Sequence, residues 1–305
     1  MIIRIATRKS ALALWQAEHV AGKLRELPEV STVELLPLST RGDEILDRSL
    51  QAIGGKGLFI KELEIAMAEG RADIAVHSMK DVPAEIPDGF CIASVLERAN
   101  PFDALVSRGS ISLDTLPEGA LVGSSSLRRQ SQMLARRPDL KIEPVRGNVN
   151  TRLKKLDDGV YDAILLACAG LERLGLASRI SAQLDPRDML PAAAQGVIGI
   201  ECRNERQDLR DLLIQVGHEQ TKLTTLAERA VAARLEATCH SPLASYATID
   251  KDTLSLQSLA ARPDGSAIIR EQISGSPLNA EALGLELANR MLDLGAASLL
   301  GIAAQ

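Results

Sequence analysis

An α/β fold of two similar lobes, followed by a small α+β domain, is what this sequence predicts. Three observations carry the prediction. Strand-like and helix-like apolar patterns alternate through the first half of the chain, which implies βαβ units and parallel pairing. One strand-to-helix junction occurs twice, as Ile5-Ala-Thr-Arg-Lys-Ser10 and as Val122-Gly-Ser-Ser-Ser-Leu-Arg-Arg129. The last ~85 residues lose the alternation and read as strands between two helices.

Ile2 to Ala6 reads as a strand, and Ala11 to Leu27 as a helix with Leu14, Ala17, Ala21 and Leu24 on one face. Val33 to Leu38 is a second strand. Leu58 to Ala68 is a second helix, closed by Gly70. Residues 73 to 79 form a third, buried strand. From about Asp103 the pattern starts again. Ala104 to Val106 and Ala120 to Val122 read as strands, Leu127 to Arg137 as a helix stopped by Pro138. A strand at 141–145, a helix at 149–158 and an apolar strand from Ala163 to Ala167 follow. The C-terminal part reads as a helix from Thr224 to Glu236, strands near 244–249, 254–260 and 267–273, and a helix from Ala280 to Leu294. The implied domains are 1–96 with 197–215, 100–192, and 219–305. Residues 96–103 and 188–199 are the crossings between two lobes that face each other across a cleft.

Composition bounds the function. The chain has 305 residues, 46% hydrophobic and 25% charged, the usual mix of a globular protein. No apolar run approaches the ~20 residues of a membrane span. The N-terminus enters a strand at once, with no signal-peptide pattern, so a cytoplasmic protein is expected. A net charge of -5 and 2% aromatic residues argue against a nucleic-acid surface. The four cysteines show no CxxC pairing and the four histidines no metal-binding spacing, so neither a metal nor a disulfide framework is expected.

The basic residues are placed unevenly. Arg8 and Lys9 open one helix, and Arg128 and Arg129 another. Cations are unfavourable at helix N-termini by some tenths of a kcal/mol each. Ser10, Ser124, Ser125 and Ser126 at the same ends are N-cap or anion-contacting residues. A bound carboxylate or phosphate resolves the conflict. Arg146 and Arg152, around Gly147, repeat the theme. Any one of these arginines reads most simply as a solvated charge. The set, at matching junctions of two lobes, points to a cleft for a small polyanion. The strand ending in His77-Ser-Met-Lys-Asp81 brings polar groups to the end of a sheet where ligands bind in α/β folds. Gly54-Gly-Lys-Gly57 lacks Walker A spacing and reads as a mobile lid.

These segments together resemble the porphobilinogen deaminase (hydroxymethylbilane synthase) family, from end to end. The motifs include Ile5-Ala-Thr-Arg-Lys-Ser10, Leu14-Trp-Gln16, Thr40-Arg-Gly-Asp43 and Gly54-Gly-Lys-Gly-Leu-Phe-Ile-Lys-Glu62. Ala75-Val-His-Ser-Met-Lys-Asp-Val-Pro83, Gly123-Ser-Ser-Ser-Leu-Arg-Arg-Gln130, Arg146-Gly-Asn148, Thr151-Arg152 and Ala169-Gly-Leu171 follow in order. Gln195-Gly196 and Arg234-Leu-Glu236 before Cys239 complete the set.

The resemblance implies lobes like those of periplasmic binding proteins, with mixed, mostly parallel sheets, and a C-terminal domain with an antiparallel sheet. It implies a transferase that joins four porphobilinogen units on a dipyrromethane primer. The primer is covalently attached to one cysteine, which by resemblance is Cys239. Cys91, Cys168 and Cys202 sit in apolar strand-like runs and read as core. Asp81 is the implied catalytic residue, hydrogen-bonding pyrrole N–H groups, stabilising the azafulvene cation and carrying the proton. Lys80, Asp81, Ser124, Ser126, Arg128, Arg129 and Arg146 are implied to hold the primer, and Ser78 adds a neutral donor. Arg8, Ser10, Arg146, Arg152, Arg173 and Gln195 are implied for the substrate, and Lys56 and Phe59 for the lid. Hand-over of product to uroporphyrinogen-III synthase and a monomeric state are further implications. The chain departs from the family pattern at Ala237-Thr238, where Gly-Gly is usual before the cysteine, at His240-Ser241, and at Ala194, which replaces a glycine. A non-catalytic two-lobe binding protein for a small polycarboxylate is the alternative; ammonia release from porphobilinogen separates the two.

Overall fold

A computed structural model describes residues 1–40, 60–109, 111–238 and 240–302. It divides into two compact units, 1–98 with 197–222, and 99–196 with 223–302.

The first unit is built on a five-stranded sheet. In chain order its elements are β1 (Ile2–Arg8), α1 (Ala11–Arg25), β2 (Thr32–Leu38), α2 (Lys61–Ala68), β3 (Ile74–Ser78) and β4 (Phe90–Val95). The second unit continues with β5 (Asp103–Ser107), β6 (Leu121–Gly123), α3 (Leu127–Arg136), β7 (Lys141–Glu143), α4 (Val149–Asp157), β8 (Ala163–Ala167), α5 (Cys168–Arg173) and β9 (Ala182–Leu184). The chain then returns to the first sheet as β10 (Ile198–Arg203), followed by α6 (Gln207–Ile214) and α7 (Glu219–Arg234).

The two sheets have one topology. Their orders are β2-β1-β3-β10-β4 and β7-β6-β8-β5-β9. In each, the first three strands are parallel, and the fourth runs antiparallel to both neighbours. The sheets are therefore mixed, as expected. The antiparallel strand in each is the one next to a crossing. β3 and β8 lie mid-sheet and read as near-continuous apolar runs, as two-sided burial requires.

Helices begin where side chains cap them. Ser10 accepts from Ala13 N, Ser126 from Arg129 N and Asn148 from Thr151 N. The buried side of α1 is Ala17, Val20, Ala21 and Leu24, packed on Ile3 and Ile5 of β1. Fully burying each such aliphatic side chain contributes roughly 1.5–3 kcal/mol. α7 starts at Glu219, five residues before the apolar periodicity that suggested Thr224. Cys168 opens helix α5 instead of extending the strand before it.

The remainder is an antiparallel sheet of β11 (Leu243–Asp250), β12 (Thr253–Ala261) and β13 (Ile268–Gly275), in sequential order. α8 (Ala280–Asp293) and α9 (Ala296–Leu300) follow. Val231, Leu256, Leu287 and Met291 share its core.

Ala194 carries a φ of 56° and is fully buried. Left-handed backbone costs an L-residue roughly 1–2 kcal/mol. The Glu228 carboxylate accepts from Ala194 N at 2.6 Å and from Ala247 N at 2.7 Å, which holds the turn in place. Ala194→Gly is expected to raise stability in urea unfolding by about 1 kcal/mol. A less stable variant would show that the turn is not strained.

Candidate active site

Arg8, Ser10, Gln16, His77, Ser78 and Asp81 line one cleft of the first unit. Two parallel neighbours, β1 and β3, end there. Beyond β3 the chain makes a 3-10 turn, Met79–Asp81, so Asp81 projects from the strand tip and is exposed. Met79 anchors the turn from below: it is buried, and its N–H donates to Val197 O. Gly199 is required beside it, because a Cβ there would lie 2.1 Å from Met79 Sδ. Gln16 ties the helix to the tip, its Nε2 donating to Ser78 Oγ at 2.8 Å. Lys80 is half-buried in the same turn.

The second unit gathers the matching groups. Ser124 is buried, and its Oγ accepts from Ser126 N. Arg128 and Arg129 do not point into open solvent. Arg128 donates to both oxygens of Asp103 at 2.7 and 3.1 Å, and to Leu190 O. Arg129 donates to Asp103 Oδ1 from Nε and Nη2, and to Leu165 O. Gln195 adds a third donor to Asp103, at 3.1 Å. Burial alone would push the Asp103 carboxyl up; the two guanidinium groups overcome it and hold it well below the usual range. Asp103 is the residue the sequence reading lacks. Its only signal was an acidic residue at the head of an apolar strand.

Arg173 Nη2 donates to Gly196 O at 2.7 Å, and burial lowers its guanidinium to about 10. Arg152 Nε donates to Gly147 O at 2.8 Å. Gly147 has a φ of +107°, and a Cβ there would lie 2.6 Å from Thr151 Cγ2. Arg146 is half-buried, and its charge reaches His240. Burial first, and then Arg146, lower the His240 pKa. Cys239 itself, with Lys56 and Phe59, lies outside the described residues. Burial pushes the Cys168 and Cys202 thiols up to about 12, so neither is a thiolate nucleophile near neutral pH.

Among the described residues, no His, Cys, Asp or Glu group is arranged to hold a metal, and no helix is long and apolar enough to cross a membrane.

Two mixed sheets of one topology, with arginines and serines at their helix N-termini and an exposed carboxylate at one strand tip, define an α/β protein. The family profile described as "Porphobilinogen deaminase, dipyromethane cofactor binding domain" matches residues 3–211, and "Porphobilinogen deaminase, C-terminal domain" matches 222–293. A porphobilinogen deaminase of Chromobacterium violaceum is 53% identical over 298 residues, 98% of this chain and 96% of that one. The chain belongs to the porphobilinogen deaminase family, and it is a transferase. Among solved structures, the Bordetella pertussis BvgS VFT2 domain is 15% identical, covering 70% of this chain and 86% of its own, with TM-score 0.43. The sulphonate-binding protein SsuA of Escherichia coli is 16% identical, covering 77% of this chain and 70% of its own, with TM-score 0.42. At those values the likenesses add nothing to the sheet orders above.

Proposed function

We propose that this hydroxymethylbilane synthase joins porphobilinogen units at the Asp81 tip, with the junction arginines and serines holding their carboxylates. The observation that carries the reading is the convergence of Arg8, Ser10, Ser78 and Asp81 on one cleft. Every porphobilinogen brings two carboxylates. Arg8, Arg146, Arg152 and Arg173 take them as charge-assisted pairs, and Ser10, Ser78, Ser124 and Ser126 donate neutral hydrogen bonds. Lys80 adds a charge beside Asp81.

Dipyrromethane, when bound, supplies a nucleophilic pyrrole end to extend; Cys239 would hold it covalently. Among the described residues the fit rests on the Ser124 and Ser126 hydroxyls at the α3 N-terminus and on the half-buried Arg146 of the same unit. Asp81 accepts pyrrole N–H groups and offsets the positive charge that develops on porphobilinogen as ammonia leaves. Its carboxylate is also the group placed to take the proton lost when the new carbon–carbon bond forms. Arg128 and Arg129 act through Asp103: the trio carries one net positive charge behind the α3 N-terminus.

The same reading makes the protein a cytoplasmic monomer that passes its product to uroporphyrinogen-III synthase. Family membership supports it over a non-catalytic binding protein, since both matched profiles are those of the enzyme.

The test is the intact mass of the denatured protein beside Cys239→Ser. The expected result is an excess of two linked pyrrole units that the variant lacks. Unmodified mass in both, persisting after porphobilinogen is added, would overturn the attachment point.

A further inference from the structure

Behind the Asp81 cleft lies a buried cluster of ionisable groups that the mechanism above does not use. His77, on β3, lines the cleft. Its Nε2 is 2.7 Å from Glu201 Oε2 on β10, with side chains 5% and 2% exposed. The strand register explains the contact. Glu201 pairs with Ala75, and Gly199 pairs with His77. Ala75 and His77 share one face, since side chains alternate. Gly199 leaves its space to Met79, and the Glu201 carboxylate reaches diagonally across to His77.

Glu64, on α2, covers the same face and is itself buried. Glu64 Oε1 and Glu201 Oε1 have no hydrogen-bond partner. An unsatisfied buried polar atom is costly, and such atoms need a reason. Here they sit directly behind a cleft.

Glu64 is pushed up to about 7, first by burial and then by Glu201. His77 and Lys61, on its own helix, act in the opposite sense. The His77 Nε2–Glu201 Oε2 contact is a buried side-chain hydrogen bond between adjacent strands.

We infer that Glu201 and Glu64 are positioning residues of this site: Glu201 holds the His77 imidazole in the cleft wall against the pyrrole chain, and Glu64 backs the pair from α2. Ionising Glu64 puts a negative charge behind a wall that faces an anionic ligand. It weakens porphobilinogen binding without touching Asp81. The inference rests on the Arg8–Asp81 cleft being the active site.

The experiment compares wild type, Glu64→Gln, Glu201→Gln and Asp81→Asn as primer-loaded enzymes across pH. Wild-type KM for porphobilinogen is expected to rise on the alkaline side of 7, as Glu64 ionises. Glu64→Gln, which mimics the protonated form, should remove that rise. Glu201→Gln should raise KM about tenfold, the equivalent of one charge-assisted hydrogen bond, with kcat little changed.

Thermal unfolding gives a reading independent of turnover. Between the ordinary 4.5 and about 7, native Glu64 keeps a proton that the unfolded chain releases, so stability falls as pH rises through that window. Glu64→Gln should lose this slope. Variants that lower the melting temperature but leave KM and its pH profile at wild type would overturn the inference and leave the cluster structural. Normal turnover by Asp81→Asn would instead sink the reading of the cleft on which the inference rests.

Discussion

Asp81→Asn is expected to fold and carry its primer, and to lose turnover by about 10²–10³-fold, the scale for removing one preorganised electrostatic contact. The change is nearly isosteric. Asp81 is exposed at the end of a 3-10 turn, and the turn is held by Met79, Val82 and Val197 through backbone hydrogen bonds. None of those contacts needs the carboxylate, so the melting temperature should stay within experimental error of wild type. What is lost is the negative charge facing the developing cation, and with it a site for the departing proton. An amide can still accept a pyrrole N–H, so KM should move less than kcat. Ammonia release under steady state measures the first quantity, and intact mass confirms the primer. A near-normal kcat would remove Asp81 from the chemistry and leave Lys80 or a backbone group to explain the tip.

Much of this architecture was legible because it is written in periodicity. The apolar runs at Ile74 to Val76 and at Ala163 to Leu166 are central strands, and the repeated serine–arginine junction does mark two sheets of one topology. What could not be read was pairing over long separations. Nothing local says that Ile198–Arg203 inserts antiparallel between Ile74–Ser78 and Phe90–Val95. That insertion puts Glu201 on His77 and Gly199 on Met79. The candidate site was legible as a set of residues, but not as a set of partners. Arg128 and Arg129 looked like anion receptors because helix N-termini disfavour cations. One counter-ion for both lies inside the protein, an aspartate about twenty-five positions upstream. The Ala194 departure is likewise physical only in three dimensions, where a left-handed φ meets the carboxylate of Glu228.

Asp103→Asn should be the most destabilising of these substitutions, by about 3–5 kcal/mol at neutral pH in urea unfolding. Asp103 has no exposed surface and takes hydrogen bonds from Arg128, Arg129 and Gln195. Asparagine keeps the volume but removes the charge, and it turns an NH₂ group toward donors. Two guanidinium groups would then be buried without a counter-ion, and that uncompensated charge sets the size of the loss. An exposed pair such as Lys154–Asp158, with side chains 74% and 51% exposed, should contribute only about 0.3–0.5 kcal/mol. The pH dependence separates the two cases. Because the folded Asp103 carboxyl lies below its ordinary 3.8, its stabilisation is present above that value and fades as pH falls toward the folded one. The difference between wild type and variant should therefore be largest at neutral pH and shrink in acid. A loss under about 1 kcal/mol at neutral pH would mean that solvent or a shifted chain compensates the arginines. Where the variant is folded at low temperature, the fraction carrying primer reports on function. Arg128 and Arg129 released from Asp103 would no longer hold the α3 N-terminus in register, so primer loading should fall even in molecules that remain native.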